Sequence, residues 1–599
     1  MKEDSKNLIL TLVLTAAILL GWQFLAPKFF PQLAEKPAAT DKAGPTATVP
    51  GAAPAAPAAA VQKAVPLQQA LGNGGNRIAI ETPALKGSIN LTGARIDDLV
   101  LTKYRETLDR NSPNVRLFAP GGTNQSYFAG LGWSGEGVVL PDANSVWSAS
   151  GSKLTPSSPV TLSWNNGQGQ LFQIDLKVDA NYLFTVTQKA SNNGAGPVAV
   201  APYSYVNRLG IPKDPDSWTI HIGPMGVFDG AANYDVNYKD VDAAGATGVG
   251  KASTGGWIGF TDKYWLAAVI PAQNAKVNTA FRATDGLGGK KLYQANFAGN
   301  QTIVAPGKMA SSQSMIFAGA KETPVLDAYT SAPGIAKLDR ATDWGWFYWF
   351  EKPIFYVLHW LFNMVGNFGV AIILLTFIVR GLMFPIAQKQ FHSMAHMRIV
   401  QPKLKAIQEK YKDDKPRLQQ EMMKIYKDEK INPLAGCLPI LIQIPVFYAL
   451  YKVLMVSIEM RHQPFALWIK DLSAPDPLHI LNLFGLLPFT PPAFLGIGIL
   501  ALLLGVTMWL QFKLNPAQLD PIQQQIFSIM PWMMMFVMAP FAAGLLLYWI
   551  TSNILTIAQQ KWLYNQYPQL REPLTELVTH EGPKPGTPAT TISSKKRKK

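Results

Sequence analysis

Apolar residues follow two different rules along this chain. Between about residues 76 and 340 they recur at short spacing among polar and charged positions, whereas long uncharged runs occupy residues 8–26 and much of the sequence after residue 353. In the middle region the period is two. Apolar and polar residues alternate strictly through Phe172-Gln-Ile-Asp-Leu-Lys-Val-Asp179, and a second strand around Tyr182 to Gln188 follows Ala180-Asn181. That spacing predicts a β-hairpin with one buried face. Clusters of Gly, Asn, Ser and Pro separate further runs of this kind, so the region reads as a large antiparallel β-sandwich.

The long apolar runs read as membrane spans. Leu8 to Ala26 follows a short segment with Lys2 and Lys6 and matches the roughly 20 residues that cross a bilayer core. It is longer than a signal-peptide core, and Pro27, Lys28, Phe29 and Phe30 stand where a small-residue cleavage site would be. An uncleaved signal anchor over residues 1–27 is therefore expected, with a cleaved signal peptide as the alternative. An Ala/Pro-rich linker follows over 28–75, with no apolar face to bury. The sandwich is assigned to 76–342. After Asp343 the residues Trp344, Trp346, Tyr348, Trp349 and Phe350 crowd together, as amphipathic rings do at the headgroup level. The second span is expected to lie along the outer surface for two turns, to enter the bilayer near Leu358 to Phe362 and to end near Pro385. A helical loop follows over 386–432, with Pro402 and Pro416 as breaks or starts. The third span is placed at Leu434 to Val456, around Pro439 and Pro445, and the fourth at about Ala493 to Phe512. Ile526 to Ala558 is too long for one span; read as two that turn at Ala539 to Gly544, it returns the tail to the side of the N-terminus.

Composition and charge agree with a membrane protein. Hydrophobic residues make up 48% of the 599 and charged ones 16%, below the soluble average of about a quarter. The net charge of +15 is unevenly placed: 27 basic and 22 acidic residues lie in 28–342, 11 and 6 in 386–432, and 8 and 3 in 561–599. Two short segments thus carry +10, which is the signature of cytoplasmic loops and not of a sequence-specific nucleic-acid site. The single cysteine, Cys437, excludes an intrachain disulfide. Gly130-Leu-Gly-Trp-Ser-Gly135 has dinucleotide-binding spacing but no βαβ context. Walker A, His-Glu-x-x-His and Gly-x-Ser-x-Gly motifs are absent, and seven scattered histidines suggest no metal site. No enzyme activity, cofactor or metal is expected.

Arg380 is the one basic residue well inside an apolar run after residue 353, and a charge at a helix centre costs roughly 2.5–3.5 kcal/mol to insert. Such a residue points to function; the alternative is snorkelling, since Lys389 lies about 13 Å further along a helix. Thr376 is one turn away. Gln443, Tyr548, Thr551, Ser552, Asn553 and Thr556 are the other polar residues considered in the spans. The pairs 376/380 and 548/552 each share a helix face and could line a wet cavity or make ordinary interhelical hydrogen bonds. Met508, Met530, Met533 to Met535 and Met538 offer a flexible surface for varied clients, or core filler.

Several short blocks occur in an order that resembles the YidC insertases of Gram-negative bacteria: Thr376-Phe-Ile-Val-Arg380, Gln401-Pro-Lys403, Asn432-Pro433, Gly436-Cys-Leu-Pro439, Gln443-Ile-Pro445, Pro464-Phe-Ala-Leu-Trp468 and Tyr548 to Gln560. The likeness covers roughly 345–565. It implies an α-helical integral membrane protein, an N-terminal anchor plus a five-helix insertase core over 343–565, with a periplasmic antiparallel β-sandwich like a galactose mutarotase but inactive. It further implies a hydrophilic groove, open to the cytoplasm and to lipid, holding Arg380 with Thr376, Gln443, Tyr548 and Trp549 as neighbours, and client contact at Ile444 and Pro445. Implied partners are nascent membrane proteins, the Sec translocon, the lipid bilayer, and the ribosome through the loop and the basic tail 566–599. The implied location is the bacterial inner membrane, multi-pass, with both termini cytoplasmic. One departure is Leu483 to Pro492, longer than the pattern, which leaves the start of the fourth span open.

Overall fold

The computed structural model describes residues 64–72, 77–212, 220–411, 414–429, 438–489, 491–492, 495–514 and 521–566. The expected anchor, nearly all of the linker, Cys437 and the basic tail lie outside these residues.

Period-two patterning is realised as two facing sheets. One runs Val249–Thr254, Lys276–Asp285, Lys291–Ala298, Val198–Leu209, Tyr127–Glu136, Arg95–Arg105, Leu85–Asn90, Arg77–Glu81 and Lys153–Leu154, with two short strands off this path. The other runs Ala231–Asn233, Gly223–Phe228, Trp257–Thr261, Trp265–Pro271, Lys308–Ala320, Leu183–Asn192, Gln170–Val178, Val160–Asn165 and Ser148–Ala149. All pairs are antiparallel except Arg77–Glu81 with Lys153–Leu154. The predicted hairpin is Gln170–Val178 with Leu183–Asn192, and Phe172, Ile174, Leu176 and Val178 all face the core. Its turn is shaped by Asp179, whose Oδ1 accepts from the amides of Asn181 and Leu183. The glycine motif has a packing explanation. Gly130 pairs with Tyr205 and Gly132 with Tyr203 across neighbouring strands, and a Cβ on either would lie 2.3 or 2.4 Å from the tyrosine ring or hydroxyl. These glycines make room for two rings laid over the strand.

Three short helices belong to the sandwich: α1 (Leu67–Gly72), α2 (Tyr238–Ala244) and α3 (Thr323–Ser331). The helical region comprises α4 (Tyr348–Val365), α5 (Phe368–Lys410), α6 (Lys415–Asp428), α7 (Leu438–Val456), α8 (Ile499–Leu514), α9 (Pro521–Met538) and α10 (Ala543–Gln566).

The expected entry near Leu358 to Phe362 is corrected. Gly366, at φ 68°, ends α4 with its N–H on Phe362 O, and the Asn367 side chain accepts from Val370 N to start α5. α4 is a separate amphipathic helix. It buries Glu351, Phe355, Leu358 and Leu361 and turns Trp349, Tyr356, Trp360 and Met364 outward, an apolar outer face suited to lipid. Pro402 does not break α5 either. Val400 and Leu404 pack against Met422, Ile425 and Tyr426 of α6, and this hairpin contact offsets the roughly 3 kcal/mol local cost of an internal proline. α6 starts at Lys415, capped by Asp414, with Pro416 in its first turn as expected of a helix start. α8 begins at Ile499, not near Ala493, because the buried carboxylate of Asp476 accepts from Leu500 N at 2.8 Å. Gly498 must be a glycine there, since a Cβ would meet Asp476 Cβ at 2.6 Å. α9 and α10 turn through Ala539–Ala542, which the segment between α7 and α8 holds through Ala543 N to Ala474 O and Gly544 N to Leu472 O. Among the described residues one helical stretch, Phe368–Lys389, is long and apolar enough to cross a membrane unaided; Gln443–Val456, Ile499–Leu514 and Gln525–Met538 are shorter apolar segments.

Sandwich and helices meet through apolar and polar contacts. Trp344, Ile220 and Ile222 join the helical core, and Ile458 joins the sandwich core. Lys352 Nζ donates to Asp327 at 2.6 Å and to Asp339 at 2.9 Å, and Arg461 donates to the carbonyls of Arg105 and Glu106. Glu459 Oε1 accepts from Thr323 N at 2.7 Å, while its Oε2 is buried without a partner. Burial first, and then the charge of Glu322, push the Glu459 carboxyl up to about 7 against hydrogen bonds that lower it. A folded-state value above the unfolded one stabilises the fold fully below about pH 4.5, and that stability is lost as pH rises through 7. Thermal unfolding of the full chain should therefore weaken across this window by on the order of 3 kcal/mol. In Glu459→Gln the slope should flatten; an unchanged pH profile would show that Glu459 does not couple protonation to the junction.

Candidate functional site

The polar residues of the helical region meet where α5, α7 and α10 converge. Thr376 is fully buried, and its hydroxyl donates to Ile372 O of its own helix at 2.7 Å. One turn on, Arg380 is half-buried and reaches across to α10, where its Nε donates to Ser552 Oγ at 2.9 Å and its Nη2 donates to the same oxygen. Ser552 lies one turn after Tyr548, so α10 presents both from one face. Tyr548 is buried, and its hydroxyl accepts from Gln443 Nε2 of α7. The other amide atom, Gln443 Oε1, is buried without a partner. Trp549 packs edge-on against Phe447 of α7, with ring centroids 4.8 Å apart. Beside Gln443, Ile444 is 56% exposed and Pro445 half-buried.

This arrangement assigns different roles to residues that look alike in the sequence. Thr551 and Thr556 return their hydroxyls to Leu547 O and Ser552 O of their own helix. Asn553 instead donates to Thr507 Oγ1 of α8 at 3.1 Å. Met508, Met535 and Met538 are buried filler, whereas Met533 is 52% exposed. Sequence reasoning overlooked Lys452 near the end of α7, which is buried and donates to Asp343 O at 2.9 Å, with the Asp343 carboxylate 4.0 Å away. Its signal was available: a lysine in an otherwise apolar run. The two cations differ in kind. Lys452 has a carboxylate beside it, whereas among the described residues no acidic side chain pairs with Arg380. A guanidinium offers five donors, so a single serine hydroxyl leaves most of its capacity for other acceptors.

Comparison with known proteins settles the family. The model of the 60Kd inner membrane protein matches residues 360–570, and that of the YidC periplasmic domain matches residues 77–357. The membrane protein insertase YidC of Zymomonas mobilis is 48% identical over 573 residues, covering 94% of this chain and 96% of that protein. The one from Rhizobium meliloti is 46% identical over 570 residues, covering 93% and 95%. This chain belongs to the YidC membrane protein insertase family. Its sandwich is the YidC periplasmic domain, and the protein resides in the inner membrane. Among solved structures, an active YidC insertase with its first transmembrane domain resolved is matched over 81% of this chain and 92% of that one, with 19% identity and a TM-score of 0.34. A galactose mutarotase related enzyme from Lactobacillus acidophilus is matched over 40% and 97%, with 11% identity and a TM-score of 0.27.

Within this YidC chain, the contact between Arg380 and Ser552 ties α5 to α10 and is open to test. Ser552→Ala removes the hydroxyl that receives two guanidinium donors, and a hydrogen bond to a charged group is worth about 1.5–3 kcal/mol. The full chain in nanodiscs should unfold at a lower temperature. Thr551→Ala, which removes only a bond to its own helix, should melt within about 0.5 kcal/mol of the parent. Equal effects of the two would mean that Arg380 is not held by Ser552.

Proposed function

We propose that this protein inserts client proteins by giving their polar segments a short polar route past the hydrocarbon, with Arg380 as its centre. The observation that carries the reading is a guanidinium inside the helical region that bridges α5 to Ser552 of α10 with no paired carboxylate among the described residues. Such a group holds unspent donors for the oxygens of a client tail. Thr376, Gln443, Tyr548 and Trp549 are its groove neighbours, and Ile444 and Pro445 meet the client's transmembrane segment. The tail enters the groove from the cytoplasm, where Arg380 and the amide and hydroxyl groups replace part of its water shell. The apolar segment then partitions into lipid beside α7. With the cytoplasm negative, an acidic tail gains about 2.3 kcal/mol per charge per 100 mV as it moves outward. No bond is made or broken and no nucleotide is consumed.

In this reading residues 1–27 anchor the chain, the sandwich of 76–342 stands in the periplasm and residues 343–565 form the five-helix core, with both termini cytoplasmic. The arm formed by the end of α5 and α6, within the loop 386–432, and the basic tail receive clients and the ribosome. The protein works alone or beside the Sec translocon, and as a chaperone during assembly.

The test is protease-protected insertion of a small radiolabelled membrane protein into liposomes that contain only this chain, without ATP. Arg380→Ala should lower the insertion rate about tenfold, the equivalent of about 1.4 kcal/mol, and Arg380→Lys should recover part of it by keeping the charge. Insertion at the parent rate in Arg380→Ala would overturn the groove mechanism. No insertion by the parent chain would point to an obligate accessory role.

A further inference from the structure

The connector from α7 to α8 contains an apolar loop that the insertion mechanism does not use. Between Asp476 and Lys513 the sequence has no Asp, Glu, Lys or Arg. Within that stretch residues 481–489 fold as consecutive turns, and their apolar side chains face outward. Leu486 is 82% exposed, and Leu481, Leu483, Phe484, Leu487 and Phe489 lie between 41% and 53%. So dense an apolar patch marks a contact surface.

Backbone bonding narrows what makes the contact. Every N–H from 483 to 489 donates to a carbonyl between residues 479 and 487, Pro488 having none. Leu483 bonds to Ile480 O, Phe484 to His479 O, Gly485 and Leu487 to Asn482 O, Leu486 to Leu483 O and Phe489 to Leu487 O. Asn482 organises the turns, its Oδ1 accepting from Gly485 N and its Nδ2 donating to Phe489 O. Leu483 and Phe484 hold φ angles of 50° and 60°, a left-handed conformation that bulky residues adopt only when the surrounding structure enforces it. An exposed loop in water has no need to bond most of its own donors. A loop at the boundary of headgroups and acyl chains gains by it, because acceptors are scarcer there while its remaining backbone groups still reach water.

We infer that residues 481–489 form a wedge seated at the boundary between headgroups and acyl chains of the periplasmic leaflet, its apolar side chains dipping into the lipid, with lipid as the partner. The inference rests on the membrane embedding of the helices. The loop hangs from the start of α8 through Ile480 N to Ile497 O, at 2.9 Å, and the bridge between His479 and Gly498. The same connector begins at Glu459 and Arg461, which touch the sandwich, so the leaflet is the one on the sandwich side. The sixteen residues of α8 span about 24 Å by helical rise, short of the roughly 30 Å of hydrocarbon. Leu502, Leu503 and Val506 give α8 an exposed apolar face, and the wedge is attached just ahead of that helix's first turn. A short span flanked by an apolar loop thereby matches the bilayer without a longer helix.

Spin labelling tests this on the full chain in nanodiscs. With the sole cysteine replaced as Cys437→Ser, a nitroxide is placed at Leu486→Cys, with Leu502→Cys as the lipid control and Lys308→Cys as the water control. The label at Leu486 should resemble that at Leu502, with collision rates with oxygen several-fold above those with a water-soluble nickel chelate. Behaviour like that of Lys308→Cys would place the loop in water and overturn the wedge. Exclusion of both reagents would mean a protein contact and overturn it equally. Nickel access at Leu502 would remove α8 from the bilayer and the wedge with it. Because Leu486 is largely exposed, its substitution is not expected to disturb the fold.

Discussion

Where water is withheld, a polar group without a partner is costly, and this constraint shapes the helical half of the molecule. Arg380 reaches Ser552, Gln443 reaches Tyr548, and Asn553 reaches Thr507. Each bond joins two different helices, so satisfying polar groups and positioning helices become one act. The connector follows the same rule: Asp476 occupies the otherwise unpaired amide end of α8, and Asn482 closes the turns of the apolar loop. Residues that bond only to their own helix, such as Thr551 and Thr556, satisfy themselves and position nothing.

The junction with the periplasmic domain obeys this rule through charges. Lys352 is shared by Asp327 and Asp339, Lys452 takes Asp343 O, and Glu459 takes the amide that opens α3. Around these bonds Trp344, Ile220 and Ile222 seal the contact with apolar surface. α4 lies between the two halves and shows an apolar face outward while its single carboxylate, Glu351, is buried. That inversion of a soluble helix is what an interfacial environment selects.

An insertase needs a helical core that is stable in lipid and a polar element that is not fully satisfied. In the mechanism proposed above, Lys452 and Arg380 divide these duties. A lysine with an adjacent carboxylate is a structural pin, whereas a guanidinium on one neutral hydroxyl retains capacity for another acceptor. This division joins the packing of α5 against α10 to the chemistry by which a client tail could be received.

Much of the architecture was legible from the sequence because it depends on local periodicity. Alternation through Phe172 to Val178 determines a strand whatever its neighbours, and the uncharged run from Ile526 to Ala558, broken at Pro540, determines two helices and a turn. Arg380 was visible for the same reason, as a charge in an apolar run. Tertiary structure decided what depends on distant partners. α8 starts at Ile499 because of Asp476, 23 positions earlier, and Pro402 stays helical because α6 packs beside it. Gly130 and Gly132, which spell a nucleotide motif in sequence, prove to be beds for Tyr205 and Tyr203. Ser552 stood among five polar residues of one helix, and only the crossing of α5 and α10 chose it for Arg380. A chain's local pattern sets which elements form; which side chains face each other is settled by how those elements pack, and no local pattern contains that information.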